Sequence, residues 1–67
     1  MSIVKVIEII AESTESWEAA TQEAVTAVAK TITHVKTVYI KDFQAIVEEN
    51  KIVKYRVNAK VTFIVQD

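Results

Sequence analysis

The sequence predicts a small α+β domain in which one strand is followed by one helix and then by a β-hairpin. Three patterns along the chain indicate this order. β-Branched residues dominate residues 3–10, apolar residues recur every three or four positions in residues 14–32, and apolar and polar residues alternate in residues 52–65. A chain of this length is that of one small domain, so a single domain over residues 1–67 is expected.

The first strand is expected over residues 2–11. The segment from Ile3 to Ile10 is mostly β-branched, and only Lys5 and Glu8 interrupt its apolar character. β-Branched side chains favour the pleated sheet, and a nearly continuous apolar run is typical of a buried strand. We therefore expect this strand to be buried for much of its length.

The helix is expected over residues 14–32. Ser13 is a candidate N-cap because its hydroxyl can accept a hydrogen bond from the first turn, and Glu15 suits the positive N-terminus. Trp17 is expected to anchor the core or an interface, with a local acceptor for its indole N–H. The apolar positions that form one stripe are Trp17, Ala20, Ala24, Val25, Val28 and Ile32.

Two further strands are expected over Val35–Glu48 and Ile52–Val65, joined by the polar turn Glu49-Asn50-Lys51. The chain has no glycine and no proline, so its turns must use residues such as Asn50, which tolerates a left-handed backbone. Between residues 53 and 63 the odd-numbered positions are apolar or aromatic and the even-numbered positions are polar. One face of this strand must therefore lie against the helix.

The hairpin is expected to extend beyond the helix and to need a partner there. A strand over residues 35–48 spans about 46 Å, whereas a helix over residues 14–32 covers about 28 Å. The chain has no cysteine and one histidine, so neither a disulfide nor a His/Cys zinc site can reinforce so short a domain. A symmetric oligomer is therefore predicted. The apolar residues without an obvious partner are Phe43, Ile46, Val47, Ile52 and Val53.

Composition excludes several classes of function. The net charge of −1 argues against a nucleic-acid-binding protein, which would carry a strong basic excess. No apolar run reaches the roughly 18–20 residues of a membrane span, and the first residues do not resemble a signal peptide. We therefore expect a cytoplasmic protein without a nucleic-acid or membrane partner. Residues 11–33 carry four acidic residues and one basic residue, whereas residues 34–66 carry six basic and three acidic residues.

Three stretches in this order resemble the dodecin family, and in particular its calcium dodecin branch. They are MSIVKVIEII at the start of the chain, STESWEAATQEAV at the start of the helix and YRVNAKVTF in the last strand. The resemblance covers essentially the whole chain. It implies a three-stranded antiparallel sheet partly wrapped around the helix, and a hollow homododecamer in which the chain's partner is itself.

The resemblance also implies a flavin site. Flavin-binding dodecins stack isoalloxazine rings between tryptophans of symmetry-related subunits, and a glutamine of the last strand hydrogen-bonds the ring edge. The matching positions are Thr37 and Arg56, which offer no aromatic face and no acceptor, respectively. Tyr39 provides either a displaced aromatic surface or a cross-strand packing residue. We therefore expect a ligand-binding site at Thr37, Tyr39 and Arg56 in which flavin binding is weakened or lost.

Two other ligands are candidates. Lys54, Arg56 and Lys60 share one side of the last strand and could bind the phosphates of coenzyme A or a nucleotide, unless that side is simply solvated or forms ion pairs between subunits. The resemblance implies calcium, and the alternative for its two oxygen-rich segments is a plain helix cap and a plain polar turn. No metal ligand is assigned. The candidate oxygens belong to Glu12, Ser13, Thr14, Glu15, Glu48, Glu49 and Asn50.

No enzyme is predicted. Serines occur at positions 2, 13 and 16, and their spacing suggests no arrangement with a histidine and an acid. His34 is expected to act at the negative C-terminus of the helix rather than in catalysis. The predicted function is non-enzymatic binding or storage of a small ligand or ion. The alternative is a purely structural or interaction shell with no physiological small-molecule ligand.

Overall fold

A computed structural model describes residues 2–66 and shows the predicted β-α-β-β order. The elements are β1 (Ile3–Ser13), α1 (Trp17–Ala29), β2 (Val35–Glu48) and β3 (Lys51–Gln66). The strands form one antiparallel sheet in the order β1-β3-β2, so the last strand in sequence lies in the middle. The α+β fold class is confirmed.

The helix begins later than predicted. Its N-cap is Ser16, whose Oγ accepts a hydrogen bond from the backbone N–H of Ala19 at 2.9 Å. Ser13 still belongs to β1, where it pairs with Tyr55, and its Oγ accepts from the backbone N–H of Glu15 at 2.9 Å. The prediction of Ser13 as N-cap was therefore wrong. The sequence does not distinguish the two serines, because the hydroxyl of each can accept from a backbone N–H two or three residues ahead.

The helix also ends earlier than predicted, at Ala29. One further turn follows, in which the backbone N–H of Ile32 donates to the carbonyl oxygen of Val28 at 3.0 Å. His34 then adopts a positive φ of 63°, a left-handed conformation in which histidine is enriched. Its carbonyl oxygen accepts from the backbone N–H of Ile64 at 3.1 Å. His34 thus directs the chain from the end of the helix into β2.

The core lies between α1 and one face of β3. Alanines in the helix let its backbone approach the sheet closely, and the odd-numbered positions of β3 face it, as predicted. Val25 and Ile32, which were predicted on the same stripe, are half-buried. The buried apolar side chains are Ala20, Ala24, Val28, Val57, Ala59 and Val61.

The first strand is more exposed than predicted. Val4, Val6 and Ile10 are 54%, 53% and 63% exposed. One helix covers only one face of the sheet, so alternate residues of β1 lie on the other face. The expectation of a strand buried for much of its length was wrong within a single subunit.

The hairpin extends beyond the helix, as predicted. The molecule measures 51 × 20 × 13 Å, whereas the 13 residues of α1 span about 20 Å. Phe43, Val47 and Ile52 are 63%, 57% and 54% exposed, while Ile46 and Val53 are half-buried. Large apolar side chains thus remain uncovered along the hairpin.

Two residues close the hairpin. Glu49 and Asn50 have φ values of 51° and 66°, and Lys51 already pairs with Glu48 inside the sheet. Two consecutive positive φ angles are typical of the turn that matches the twist of a β-hairpin. Asn50 takes the left-handed conformation expected of it, whereas Lys51 belongs to β3 rather than to the turn.

At 13 residues, α1 is too short to cross a bilayer, and none of residues 2–66 forms a helix that could do so.

Candidate functional site

The three predicted ligand-binding residues lie on the face of the sheet that points away from α1, which we call the outer face. It contains the even-numbered residues of β3 and their neighbours in β1 and β2. Strand pairing arranges these residues in rows that cross the sheet. In the order β1, β3, β2, the rows are Val6-Thr62-Thr37, Glu8-Lys60-Tyr39, Ile10-Asn58-Asp42 and Glu12-Arg56-Gln44.

The structure brings together two of the three predicted residues. Thr37 and Tyr39 occupy neighbouring rows, which lie about 6.6 Å apart at roughly 3.3 Å per residue. Arg56 is six positions along β3 from Thr62, the neighbour of Thr37, which corresponds to about 20 Å. A small ligand therefore does not contact Thr37 and Arg56 of the same subunit.

Thr37 forms a polar pair with the central strand. Its Oγ1 is hydrogen-bonded to Oγ1 of Thr62, which also lies 3.5 Å from the carbonyl oxygen of Thr37. In the next row Tyr39 is 63% exposed and lies opposite Lys60. This end of the outer face consequently offers two hydroxyl groups and one exposed aromatic ring.

Arg56 is held by side chains from both neighbouring strands. Its Nε and Nη2 lie 2.7 Å and 2.6 Å from Oε2 of Glu12, and its Nη1 lies 3.4 Å from Oε1 of Gln44. Lys54 Nζ approaches the other carboxylate oxygen of Glu12 at 3.7 Å. We call Glu12, Arg56 and Gln44 the Arg56 row. One carboxylate thus serves two cations.

The electrostatics of the outer face follow from these contacts. The hydrogen bond from Arg56 lowers the pKa of Glu12, and the positive charges of Arg56 and Lys54 lower it further. A second pair joins Lys41 Nζ to Oε2 of Glu8 at 3.5 Å. The Glu12 carboxylate therefore offsets part of the positive charge of Lys54, Arg56 and Lys60, which we call the basic stripe, without any contribution from a neighbouring subunit.

The candidate calcium oxygens at the start of the helix line one groove, and two of their side chains already have partners. A groove of about 350 Å³ at the start of the helix is lined in part by Glu12, Ser13, Thr14 and Glu15. The Glu12 carboxylate already contacts two cations, and the Ser13 hydroxyl accepts from the backbone. Across residues 2–66, no three acidic, histidine or cysteine side chains are grouped to hold a metal ion. Calcium needs several oxygen ligands, and the described residues of one subunit offer it no cluster of three carboxylates.

Trp17 connects the helix start to the sheet. Its indole Nε1–H donates to the carbonyl oxygen of Gln44 at 2.9 Å, which is the local acceptor expected for it. Its ring meets those of Phe43 and Tyr55 edge-on, with centroids 5.9 Å and 5.0 Å away. Because Gln44 also contacts Arg56, this cluster positions one end of the Arg56 row.

An apolar groove of about 420 Å³ adjoins this cluster on the helix side of the sheet. It is lined by Trp17, Glu18, Thr21, Ile40 and Phe43. Phe43 is largely exposed in a single subunit, so the groove is continuous with the uncovered part of the hairpin.

Sequence reasoning missed the partners of Arg56. Glu12 was predicted as a possible calcium ligand and belongs to the acidic segment for which ion pairs between subunits were the alternative, whereas no role was predicted for Gln44. Both contacts depend on strand register, since Glu12 is 44 residues and Gln44 12 residues from Arg56. The available signal was the opposite charge on β1, which becomes specific only when the register is known.

Comparison with known proteins identifies the family. Residues 3–66 match the family model described as Dodecin, so the chain belongs to the dodecin family. Among curated proteins, none matches the chain. The three-stranded sheet around one helix, which the resemblance implied, is thus confirmed as the dodecin fold.

Solved structures agree with this assignment. A dodecin from Thermus thermophilus, an R45A mutant, shares 27% identity with a TM-score of 0.92, and the match covers 100% of both chains. The calcium dodecin of Mycobacterium tuberculosis, described as calcium chelating, shares 31% identity with a TM-score of 0.82, over 92% of this chain and 89% of that one. The dodecin of Streptomyces coelicolor shares 18% identity with a TM-score of 0.91, over 98% and 94%, and supports the fold alone.

Proposed function

We propose that this chain is a non-enzymatic binding or storage protein of the dodecin type, which assembles as a homododecamer and binds a small ligand or ion. We also propose that its flavin binding is weak or lost. The observation that carries the proposal is the composition of the outer face, which offers one exposed aromatic ring and a row of polar side chains on the scaffold of a ligand-binding family.

Self-assembly is supported by the uncovered apolar surface. Phe43, Val47 and Ile52 on the hairpin are each more than half exposed, and burying them against identical subunits removes this surface from water. The distance of about 20 Å between the rows of Thr37 and Arg56 adds a second argument. In an assembly, a ligand that contacts Thr37 of one subunit can meet Arg56 only from another.

Weak flavin binding is supported by the side chains at the two family positions. Thr37 has no ring and is hydrogen-bonded to Thr62, so the stacking contribution of about 0.5–1.5 kcal/mol per aromatic pair is missing. Arg56 lacks an acceptor for the flavin ring N–H, and its Nε already donates to Glu12, which Nη2 also contacts. Tyr39 remains as a displaced surface for a planar ligand.

We propose calcium as the ion because the M. tuberculosis relative is described as calcium chelating. The described part of one subunit supplies no three-carboxylate cluster, so a calcium site in this chain would have to combine oxygens from several subunits. Of the candidate carboxylates, Glu15, Glu48 and Glu49 form no ion pair among residues 2–66 and are free to contribute. Coenzyme A is a weaker candidate because the basic stripe is partly neutralised.

The proposal is tested by native mass spectrometry of the purified protein, followed by titration with riboflavin and, after EDTA treatment, with calcium. We expect a dodecamer, little quenching of riboflavin fluorescence at micromolar protein and measurable heat with calcium. Tight riboflavin binding would contradict the flavin part of the proposal. A dodecamer that retains no ligand and responds to neither titrant would favour the structural shell instead.

The positional assignment has its own test. In the double variant Thr37→Trp/Arg56→Gln, riboflavin binding is expected to strengthen at least tenfold, because a stacking ring and an acceptor are both restored. Fluorescence quenching measures the change, and Val65→Trp serves as a control with a tryptophan elsewhere on the exposed surface. No gain in the double variant would show that Thr37 and Arg56 are not the ligand positions.

A further inference from the structure

We infer that Glu12 determines which ligands the outer face accepts, because it is a built-in counter-ion of Arg56 that excludes anions and leaves the guanidinium as a hydrogen-bond donor to neutral acceptors. The inference rests on the proposed function, since it concerns ligands that reach Arg56 on the outer face. The ligand class it favours carries carbonyl or amide oxygens rather than phosphate or carboxylate groups.

The geometry of the pair is the first part of the argument. Nε of Arg56 donates to Oε2 of Glu12 at 2.7 Å, and Nη2 forms an ion-pair contact with the same oxygen at 2.6 Å. Charge-assisted bonds of this length are about twice as strong as neutral ones. Lys54 is 3.7 Å from the second oxygen, so Glu12 also engages the nearest other cation. An incoming anion would have to displace Glu12 and then lie beside its negative charge.

The donors that remain on Arg56 are the second part. A guanidinium has five N–H groups, and the hydrogen bond to Glu12 uses one of them, at Nε. The contact from Nη1 to Gln44 is long at 3.4 Å, and the Arg56 side chain is 37% exposed. The unused N–H groups therefore face solvent beside the Glu12 carboxylate, which offsets the charge of the guanidinium. A neutral acceptor gains a hydrogen bond there, whereas an anion gains less electrostatic attraction than it would from an unpaired Arg56.

The position of the guanidinium is the third part. Glu12 holds it from β1 and Gln44 from β2, and the backbone of Gln44 accepts the indole N–H of Trp17 at 2.9 Å. Contacts from both sides restrict the side chain, so its free donors have a defined direction. A pre-organised donor group loses less entropy when it binds a ligand.

The matched control is the other carboxylate of β1 on the outer face. Glu8 also contacts a cation, Lys41, but at 3.5 Å and without the two short guanidinium contacts. It lies two rows from Glu12, on the same strand and the same face. Glu8→Gln changes the net charge by the same amount as Glu12→Gln does, but it leaves Arg56 paired with Glu12.

The test is calorimetric titration of the assembled full chain with sulfate, an anion that keeps its charge in mild acid. We expect no saturable binding to the native protein at millimolar sulfate, and at least a tenfold gain in Glu12→Gln. Glu8→Gln is expected to behave as the native protein does, and Glu12→Gln/Arg56→Gln to lose the gain. Sulfate binding to the native protein as tight as in Glu12→Gln, or a gain that survives loss of Arg56, would overturn the inference.

A second arm does not require Glu12→Gln and covers the case in which that variant does not fold. As the pH falls through the lowered pKa of Glu12, the native protein is expected to begin binding sulfate. The charged groups that contact Glu12 are Arg56 and Lys54, β2 contributes the neutral Gln44, and Glu15 and Glu23 line the adjacent groove. Arg56→Gln is the control, and an unchanged response in that variant would contradict the role of Arg56.

Native mass spectrometry of each variant separates this inference from the proposed function. A dodecamer with unchanged sulfate affinity in Glu12→Gln would refute the role of Glu12 alone. A native chain that remains monomeric would instead refute the proposed assembly, whatever its affinity for sulfate.

Discussion

At the scale of single residues, the contact between Glu12 and Arg56 is the best defined polar feature of the outer face. Two guanidinium nitrogens lie within 2.7 Å of one carboxylate oxygen, and a third contacts Gln44. By contrast, Thr37 and Tyr39 form an open patch of hydroxyl groups and one ring. The two ends of the outer face thus differ in chemistry, and a ligand of one subunit reaches only one of them.

Replacing Arg56 is expected to change the acid response of Glu12. In Arg56→Gln the pKa of Glu12 should rise toward the usual value for a glutamate, because its strongest hydrogen bond and nearest positive charge are lost. An NMR titration of the side-chain carboxyl carbons measures this shift. Lys41→Gln is the control, since Lys41 contacts Glu8 instead. An unchanged Glu12 pKa in Arg56→Gln would contradict the ion pair.

The same pair predicts how stability depends on pH. A carboxyl group whose pKa is lowered by folding stabilises the native state fully above its unfolded pKa, and this stabilisation is lost as the pH falls through the folded pKa. The native protein should therefore lose stability more steeply in this acidic range than Arg56→Gln. Urea denaturation at a series of pH values compares the two proteins, and equal slopes would count against the prediction.

At the scale of elements, the helix start and the core explain where the sheet is covered. Ser16 is the N-cap of α1, whereas Ser13 is the last residue of β1. Three small or β-branched residues of the helix pack on the central strand. β1 and β2 are the two edge strands, and the outer face is uncovered because α1 packs on the opposite face of the sheet. The sheet therefore has one face that the helix covers and one that is exposed in a single subunit.

The reassigned helix cap is directly testable. Ser16→Ala should lower the free energy of unfolding by about 1 kcal/mol, because it removes the acceptor for the Ala19 N–H. Ser13→Ala is the matched control and should cost less, since its hydroxyl bonds only the Glu15 N–H in the preceding turn. Urea denaturation at equal protein concentration measures both. A larger loss in Ser13→Ala would favour the helix start that the sequence indicated.

The core between α1 and β3 gives a second test at this scale. Val61→Ala removes two buried methyl groups and is expected to cost roughly 2 kcal/mol, since each buried carbon contributes about 0.8 kcal/mol and a cavity adds to the loss. Val65→Ala, at a position that is 53% exposed on the same strand, is the control. Thermal or urea unfolding compares them. A similar cost at both positions would indicate that Val65 is buried by another subunit.

Sequence analysis predicted the strands more accurately than the site. The alternation in β3 identified the face that meets the helix, and the length of the hairpin identified three of its uncovered apolar residues, Phe43, Val47 and Ile52. The helix start was missed because Ser13 and Ser16 carry the same capping group. The partners of Arg56 were missed because Glu12 and Gln44 approach it only through strand register, which no local pattern along the chain encodes.

At the scale of the whole molecule, the subunit is long and thin, at 51 × 20 × 13 Å, with a small core and large apolar side chains exposed on the hairpin and on β1. A domain of this size buries too little surface to be more than marginally stable on its own. The proposed homododecamer of the dodecin type would cover these surfaces with identical subunits. If the chain assembles as proposed, the two ends of the outer face can meet only between subunits, and ligand binding then depends on assembly.

Native mass spectrometry of the unmodified protein in dilute, near-neutral ammonium acetate tests this account most directly. We predict one dominant species with twelve times the 7.5 kDa mass of the subunit, together with the mass of any ligand retained. A stable, folded monomer of 7.5 kDa at the same concentration would contradict it.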